Sequence, residues 1–377
     1  MKELRILLIG GGSGGHAYPL IAVAESLREK AAGKDIDLKL MMLGEGGFLR
    51  RAAEEHGIPF KLIKAGKFRR YLSSESLIDL IKIPLGFVQS LWYLFWFMPD
   101  VVFSKGGYDS VAPAVVAQLF FIPIFIHESD SIPGLANRIV SKMAEGIFLS
   151  FKTAEKNFNS PSVFTGNPTR KELFQGDKNS AREYFNLQEQ RPTVLILGGS
   201  QGAKAINDVI VSSVVVMAQK FNIIHQCGES QYESVKKDID VIMKEGTHEY
   251  SAPVSVYYRL YPFLDEKQLA SAYALADVII SRAGAGFLFE IAQAGKPAII
   301  VPISQSASNH QYFNAFEFSL SGGHLMEESN LNRESLVREI ENILEPENYA
   351  KISERIRLFA TPDAADKIAE AILNFKL

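Results

Sequence analysis

The sequence predicts an α/β protein built of two Rossmann-like domains that face a shared cleft. Three observations carry that expectation. Apolar strand-like runs alternate with amphipathic helical stretches along both halves of the 377 residues. Residues 5–9 run into Gly10-Gly11-Gly12-Ser13-Gly14-Gly15-His16. Residues 193–197 run into Gly198-Gly199-Ser200-Gln201-Gly202-Ala203. Each turn opens a helix, whose first N–H groups lack internal partners and welcome negative charge. Such a turn at the head of each half suits an enzyme holding a nucleotide-linked donor and a second substrate.

In the first half, strands are expected at 4–9, 38–43, 101–104, 122–126, 146–149 and 163–165. Several are continuous apolar runs, as in a parallel sheet buried on both faces. The helix at 19–31 places Leu20, Val23, Ala24 and Leu27 on one stripe, with Glu25, Arg28, Glu29 and Lys30 opposite. Residues 83–98 read IPLGFVQSLWYLFWFM. That run is too short to span a bilayer and is interrupted by Pro84, Gly86 and Gln89. Lys67, Arg69, Arg70 and Lys82 precede it, beside Phe68, Tyr71 and Leu72. Basic and apolar residues together are how a peripheral protein rests on an anionic membrane. Residues 91–97 read as a helix buried on the sheet; residues 68–80 fit a membrane face or such a buried helix equally.

In the second half, strands are expected at 193–197, 222–226, 254–258, 277–281 and 298–301. Helices are expected at 203–220, 267–275, 286–294 and 309–320. Gly166-Asn167-Pro168 and the polar run 175–190 mark a boundary. The expected domains are 1–166, 167–345 and an amphipathic helical tail, 346–377, that packs back on the first.

Composition narrows the function classes. Hydrophobic residues make up 47% and charged residues 22%, with a formal net charge of -3, so nothing suggests nucleic-acid binding. Cys227 is the only cysteine, which excludes an intramolecular disulfide and a Cys-rich zinc site. No signal-peptide pattern opens the chain.

Several clusters carry chemistry. Gly10, Gly12 and Gly15 match a dinucleotide fingerprint, with Glu45 as a loose candidate for the ribose acid. His16 at a helix start is disfavoured as imidazolium, so it reads as a proton acceptor or as a capping histidine. Ser104-Lys105-Gly106-Gly107-Tyr108 follows a strand, at the sheet edge where open α/β folds bind ligands. His127-Glu128-Ser129-Asp130 suits acid–base work, sugar hydroxyls or helix capping. Arg282 with Ala285 and Gly286 suits a diphosphate, and Glu290 a ribose. Asn309, His310, Gln311 and Asn314 suit sugar hydroxyls or a helix cap. The pairs Asp35/Asp37 and Asp238/Asp240 flank surface helices and read as solvated charges, so no metal is expected.

In chain order, GGSGGH at 11–16, SKGGY at 104–108, HESDSIPGLANR at 127–138 and GNPTR at 166–170 resemble one family. So do GGSQGAKAIND at 198–208, LASAYALADVIISRAGAG at 269–286, EIAQAGKPAIIVP at 290–302 and HQYFNA at 310–315. It is MurG, the peptidoglycan N-acetylglucosaminyltransferases that make lipid II from lipid I. The resemblance covers nearly the whole chain. It implies a GT-B fold and an inverting, metal-independent transfer without a cofactor. The donor would be UDP-N-acetylglucosamine; the acceptor would be the C4 hydroxyl of lipid I, the undecaprenyl-diphosphate-linked muramyl pentapeptide. It also implies a peripheral location on the cytoplasmic face of the bacterial membrane, among other cell-wall synthesis proteins.

By matching position, Arg170, Ser200 and Arg282 would face the donor diphosphate, with the Ala285 turn nearby and Gln201 among the substrate-binding residues. The Leu264 backbone would read uracil, Glu290 the ribose, and His310 and Gln311 the sugar. Ser13, Gly14, Gly15, Gly106 and Gly107 would hold the acceptor diphosphate, with Asp130 and Asn137 beside it. His16 is the expected general base, with Glu128 or Asp130 as rivals. The chain has His310 where many members have Gln, Asp130 where they have Asn, and Ser13 for a frequent Thr. The alternatives are a related GT-B transferase with another sugar nucleotide or glycolipid acceptor, an NAD-dependent oxidoreductase, and a non-catalytic scaffold.

Overall fold

Two wholly parallel sheets organise the chain, one in each of two units. The structure, a computed structural model, describes residues 2–64, 74–187, 191–199, 202–304 and 309–376. The first unit comprises Met1–Arg170 with Thr361–Leu377; the second is Lys171–Ala360.

The first sheet contains β1 (Lys2–Ile9), β2 (Ile36–Gly44), β3 (Phe60–Leu62), β4 (Val101–Ser104), β5 (Ile124–Glu128), β6 (Gly146–Leu149) and β7 (Ser162–Phe164). Its order is β3-β2-β1-β4-β5-β6-β7. The order reverses between β1 and β4, the crevice where open α/β sheets take ligands. The buried runs of the central strands are apolar because helices cover both faces: Ile6 to Ile9 and Val101 to Phe103 are fully buried.

On one face lies the helix Gly14–Ala32, whose Leu20, Val23 and Leu27 are fully buried. The helix Ala364–Lys376 covers it in turn, burying Ile368, Ile372 and Leu373 in the same core. Each of those side chains stabilises by roughly 1.5–3 kcal/mol on leaving water. Ser26 Oγ donates to Asp366 at 2.6 Å, and Lys34 to Asn374 at 2.8 Å, fixing the register between the two helices.

On the other face lies one continuous helix, Ser74–Phe97. The residues that looked like interruptions serve its packing. A Cβ on Gly86 would lie 2.3 Å from the Lys64 carbonyl, and Gln89 Oε1 accepts the Lys64 N–H at 2.9 Å. The expectation that 91–97 packs on the sheet holds for one side of the helix: Leu94 is fully buried, and Leu91, Tyr93 and Phe97 pack partly buried against the same core. Val88, Trp92, Phe95 and Trp96 are 59%, 61%, 59% and 66% exposed. Residues 65–73, with the basic cluster Lys67, Arg69 and Arg70, lie outside the described residues. Among the described residues no helix is long and apolar enough to cross a membrane.

The second sheet contains β8 (Thr193–Leu197), β9 (Asn222–Gln226), β10 (Tyr258–Tyr261), β11 (Val278–Ser281), β12 (Ala298–Ile300) and β13 (His324–Leu325). Its order is β10-β9-β8-β11-β12-β13, so the reversal falls between β8 and β11. The strand expected at 254–258 is instead the end of the helix His248–Tyr257, followed by β10. The alternating Val254 and Val256 fit either period; Val254 is buried as a helical core position while Val256 is exposed. The polar run 175–190 is not a bare linker. Asp177 caps the helix Lys178–Tyr184 through the N–H groups of Asn179 and Ser180, and Phe185 and Leu187 are buried. The helix Pro346–Arg357, expected with the returning tail, belongs to the second unit. There Ser353 Oγ donates to the Gly295 carbonyl at 2.6 Å, and Phe359 packs on Phe289.

Candidate functional site

In the first unit the turns after β1 and β4 sit side by side at the reversal point. The Gly11 N–H donates to the Gly106 carbonyl at 3.1 Å. Gly107, at φ +98, has no room for a side chain, since a Cβ would meet Gly11 at 2.9 Å. A Cβ on Gly106 would lie 2.9 Å from the Asn137 amide. At Gly15, by contrast, a Cβ would meet nothing within 4 Å, so the first helical turn opens onto free space.

His16 sits in that turn, half-buried. Its Nδ1 is 2.9 Å from Ser13 Oγ, and a Cβ on Gly11 would lie 2.8 Å from the same nitrogen. Burial, then the Lys105 charge, hold its pKa down at about 4, so the ring is neutral at pH 7. The tautomer that donates Nδ1–H to Ser13 leaves the Nε2 lone pair able to take a proton.

Glu128, the last residue of β5, is 3% exposed. Its oxygens accept from the Asp130 N–H at 2.9 Å, the Gly134 N–H at 3.2 Å and Asn137 Nδ2 at 2.9 Å. Burial and then the Asp130 charge push its pKa up. The carboxylate thus shapes its own loop, and Asn137 links it to the His127 carbonyl at 3.2 Å.

Beneath the loops lies Lys105, 1% exposed, a residue the motif reading quoted without giving it a role. Its ammonium donates to Ser129 Oγ, to Asn167 Oδ1 at 3.1 Å and to His127 Nδ1. His127 Nε2 donates to the Gly166 carbonyl at 3.0 Å, which fixes the tautomer whose Nδ1 accepts. Three N–H groups therefore meet three neutral acceptors. Burial pulls the pKa of Lys105 down, against the raising charges of Glu128 and Asp130.

Arg170, expected with the donor diphosphate, belongs to the first unit. It is 4% exposed, its guanidinium stacked 3.9 Å from the Tyr18 ring centroid.

In the second unit the turns after β8 and β11 flank the reversal point in the same way. Gly202, at φ +79, lies where a Cβ would approach the Cys227 carbonyl to 2.5 Å. Ser200 and Gln201 lie outside the described residues. The helix Ala285–Ala294 begins beside open space, for Cβ atoms on Gly284 and Gly286 would meet nothing within 4 Å. Arg282 precedes it and pairs with Glu328 at 2.6 Å. Glu290, in the same helix, is 7% exposed and accepts the Tyr273 hydroxyl at 2.9 Å, so it is no solvated helix residue. Leu264 lies in the turn after β10 with its side chain buried.

His310 and Gln311 open the helix His310–Leu320. Gln311 Oε1 already accepts the Ile303 N–H at 3.2 Å, which leaves its amide nitrogen to face a ligand. Asn314 is not a cap: buried, it donates to the Ala283 carbonyl at 3.2 Å and ties this helix to the Arg282 turn. Asp238 and Asp240 are exposed on the helix Tyr232–Glu245. Among the described residues no cluster of three or more His, Cys, Asp or Glu is placed to hold a metal.

Comparison with known proteins decides between the alternatives. Residues 6–149 match the Glycosyltransferase family 28 N-terminal domain, and residues 193–368 the Glycosyltransferase family 28 C-terminal domain. A Treponema denticola protein is 36% identical over 83% of this chain and 81% of its own length. The chain belongs to glycosyltransferase family 28.

That relative is the UDP-N-acetylglucosamine–N-acetylmuramyl-(pentapeptide) pyrophosphoryl-undecaprenol N-acetylglucosamine transferase of its organism. The Legionella pneumophila protein of the same name is 33% identical over 97% of this chain and 96% of its own length. Among solved structures, Acinetobacter baumannii MurG superposes with a TM-score of 0.71 at 25% identity, covering 98% of this chain and 99% of its own. A Neisseria meningitidis UDP-GlcNAc 2-epimerase shares the fold, with a TM-score of 0.68 at 16% identity. The two sheets with their paired glycine turns are thus the GT-B arrangement of a family 28 transferase, and the dinucleotide reading of Gly10, Gly12 and Gly15 falls away.

Proposed function

We propose that this family 28 enzyme transfers N-acetylglucosamine from UDP-N-acetylglucosamine to the muramyl C4 hydroxyl of lipid I, forming lipid II. The observation that carries the substrates is the agreement of relatives at 33–36% identity over 83–97% of the chain. The geometry supports a division of labour between the units. The acceptor diphosphate lies against the Ser13–Gly15 and Gly106–Gly107 turns; the donor lies against Arg282, Glu290 and the helix start at Ala285.

His16 Nε2 takes the proton of the attacking hydroxyl. The oxygen bonds to the anomeric carbon as the bond to the β-phosphate oxygen breaks, inverting that centre. UDP leaves with the electron pair. Its charge is met by Arg282 and by the N–H groups that open the helices Lys204–Lys220 and Ala285–Ala294. Glu128 serves as a positioning residue, because its oxygens are committed to its own loop.

The exposed Val88, Trp92, Phe95 and Trp96, with the neighbouring basic sequence, support peripheral binding to an anionic membrane at the cytoplasmic face. The test is turnover of UDP-N-acetylglucosamine with a short-chain lipid I analogue in EDTA, following UDP release and product mass. Product under these conditions is the expected result. UDP-dependent stabilisation with no product would move the acceptor elsewhere and overturn the reading.

A further inference from the structure

Arg282 is held by a carboxylate of its own chain. Its Nη1 donates to Glu328 Oε1 at 2.6 Å and to the Val301 carbonyl at 3.1 Å. Glu328 enters from the short turn Glu328–Asn330 that follows β13, and its other oxygen accepts the Ser304 N–H at 3.1 Å. The preceding residue, Ile303, donates its N–H to Gln311. The two side chains of the ion pair are only 12% and 20% exposed. One carboxylate thus spends both oxygens as a phosphate would, one on a guanidinium and one on a loop N–H.

The charge is real at neutral pH. Burial alone would raise the pKa of Glu328, but hydrogen bonds from Ser304 and Arg282 hold it below the usual range. A guanidinium facing an ionised carboxylate offers an arriving diphosphate almost no net charge until the pair opens. The work of opening it is subtracted from the affinity.

We infer that Glu328 competes with the donor's diphosphate for Arg282 and the Ser304 N–H, and so sets how tightly the nucleotide is held. This rests on the assignment of Arg282 to the donor diphosphate made above. The competition has a use in a transferase. Glu328 can retake Arg282 as UDP leaves, so product release need not wait for an unpaired guanidinium to be solvated.

The test is titration calorimetry of UDP into the enzyme and four variants. Glu328→Gln keeps an acceptor for Ser304 and removes the charge, so UDP should bind roughly 10-fold more tightly. The KM for UDP-N-acetylglucosamine should fall with it. Glu328→Asp keeps the charge but shortens the reach, and should tighten UDP by a smaller factor. Glu327→Gln, its exposed neighbour, should leave affinity unchanged. Unchanged or weaker UDP binding by Glu328→Gln and Glu328→Asp would overturn the inference and make Glu328 a brace for Arg282. Arg282→Ala separates this from the underlying reading. If it left UDP affinity intact, the donor-site assignment itself would fail.

Discussion

If His16 is the base, its low pKa dictates the acid side of the pH–rate profile. An ordinary histidine titrates near 6.5, whereas burial and the Lys105 charge hold this one at about 4. A base must be unprotonated, so kcat/KM should fall only as pH drops through the folded pKa. With a pKa of about 4, roughly 97% of His16 is neutral at pH 5.5; with 6.5 the figure would be roughly 9%. The ratio of kcat/KM at pH 5.5 to that at pH 7.5 should therefore be close to 1, rather than about 0.1. Both diphosphates are esterified at each end and carry no group that titrates in this window. The assay is UDP release with the soluble acceptor analogue, in buffers of constant ionic strength. His16→Ala supplies the amplitude, because loss of a positioned general base costs roughly 100- to 10,000-fold in kcat. A tenfold drop between pH 7.5 and 5.5 that vanishes in His16→Ala would refute the neutral His16 described here. Near-normal turnover by His16→Ala would remove it from the chemistry and return attention to Asp130.

Three further outcomes are expected. His225 is fully buried, its Nε2 donating to Asn207 and its Nδ1 accepting from Tyr258, and burial lowers its pKa to about 3. Its contribution is complete above pH 6.5 and lost as pH falls below that. Urea unfolding at pH 6.5 and 5 should thus show about 2 kcal/mol less acid sensitivity in His225→Gln than in the parent, and equal slopes would refute it. Gly166 has φ +83 and faces Thr361, where a Cβ would overlap at 1.9 Å. Gly166→Ala should cost about 2–4 kcal/mol in chemical unfolding, partly restored by Thr361→Gly. Trp92→Ser with Trp96→Ser should reduce co-sedimentation with anionic vesicles by at least tenfold while sparing turnover of the soluble acceptor; unchanged sedimentation would sink the membrane face.

What could be read from the sequence was what local chemistry demands. The glycine turns after β1, β4, β8 and β11 were legible because positive φ and close backbone approach leave few other residues possible. His16, Glu128, Arg282 and Glu290 were legible because they follow those turns or strand ends. Partners distant in sequence were not. Nothing near Arg282 points to Glu328, and nothing in Ser104-Lys105-Gly106 points to His127, Ser129 and Asn167. The strands β3 and β13, of three and two residues, are too short to carry a period. At 254–258 two periods fit one run of valines and tyrosines, and the helix was settled by burial of Val254. Gly86 and Gln89 looked like breaks in a helix because their purpose, contact with Lys64, lies outside it.

The helix Ala364–Lys376 lays the last stretch of sequence over a core begun by the first. During synthesis the second unit has all its strands before the first has its final covering helix. The side of the helix Gly14–Ala32 that the final helix covers must then wait until residues 364–376 have been made. A chain cut just short of residue 364 would have every strand of both sheets, but the surface that Ile368, Ile372 and Leu373 cover would stay open to water.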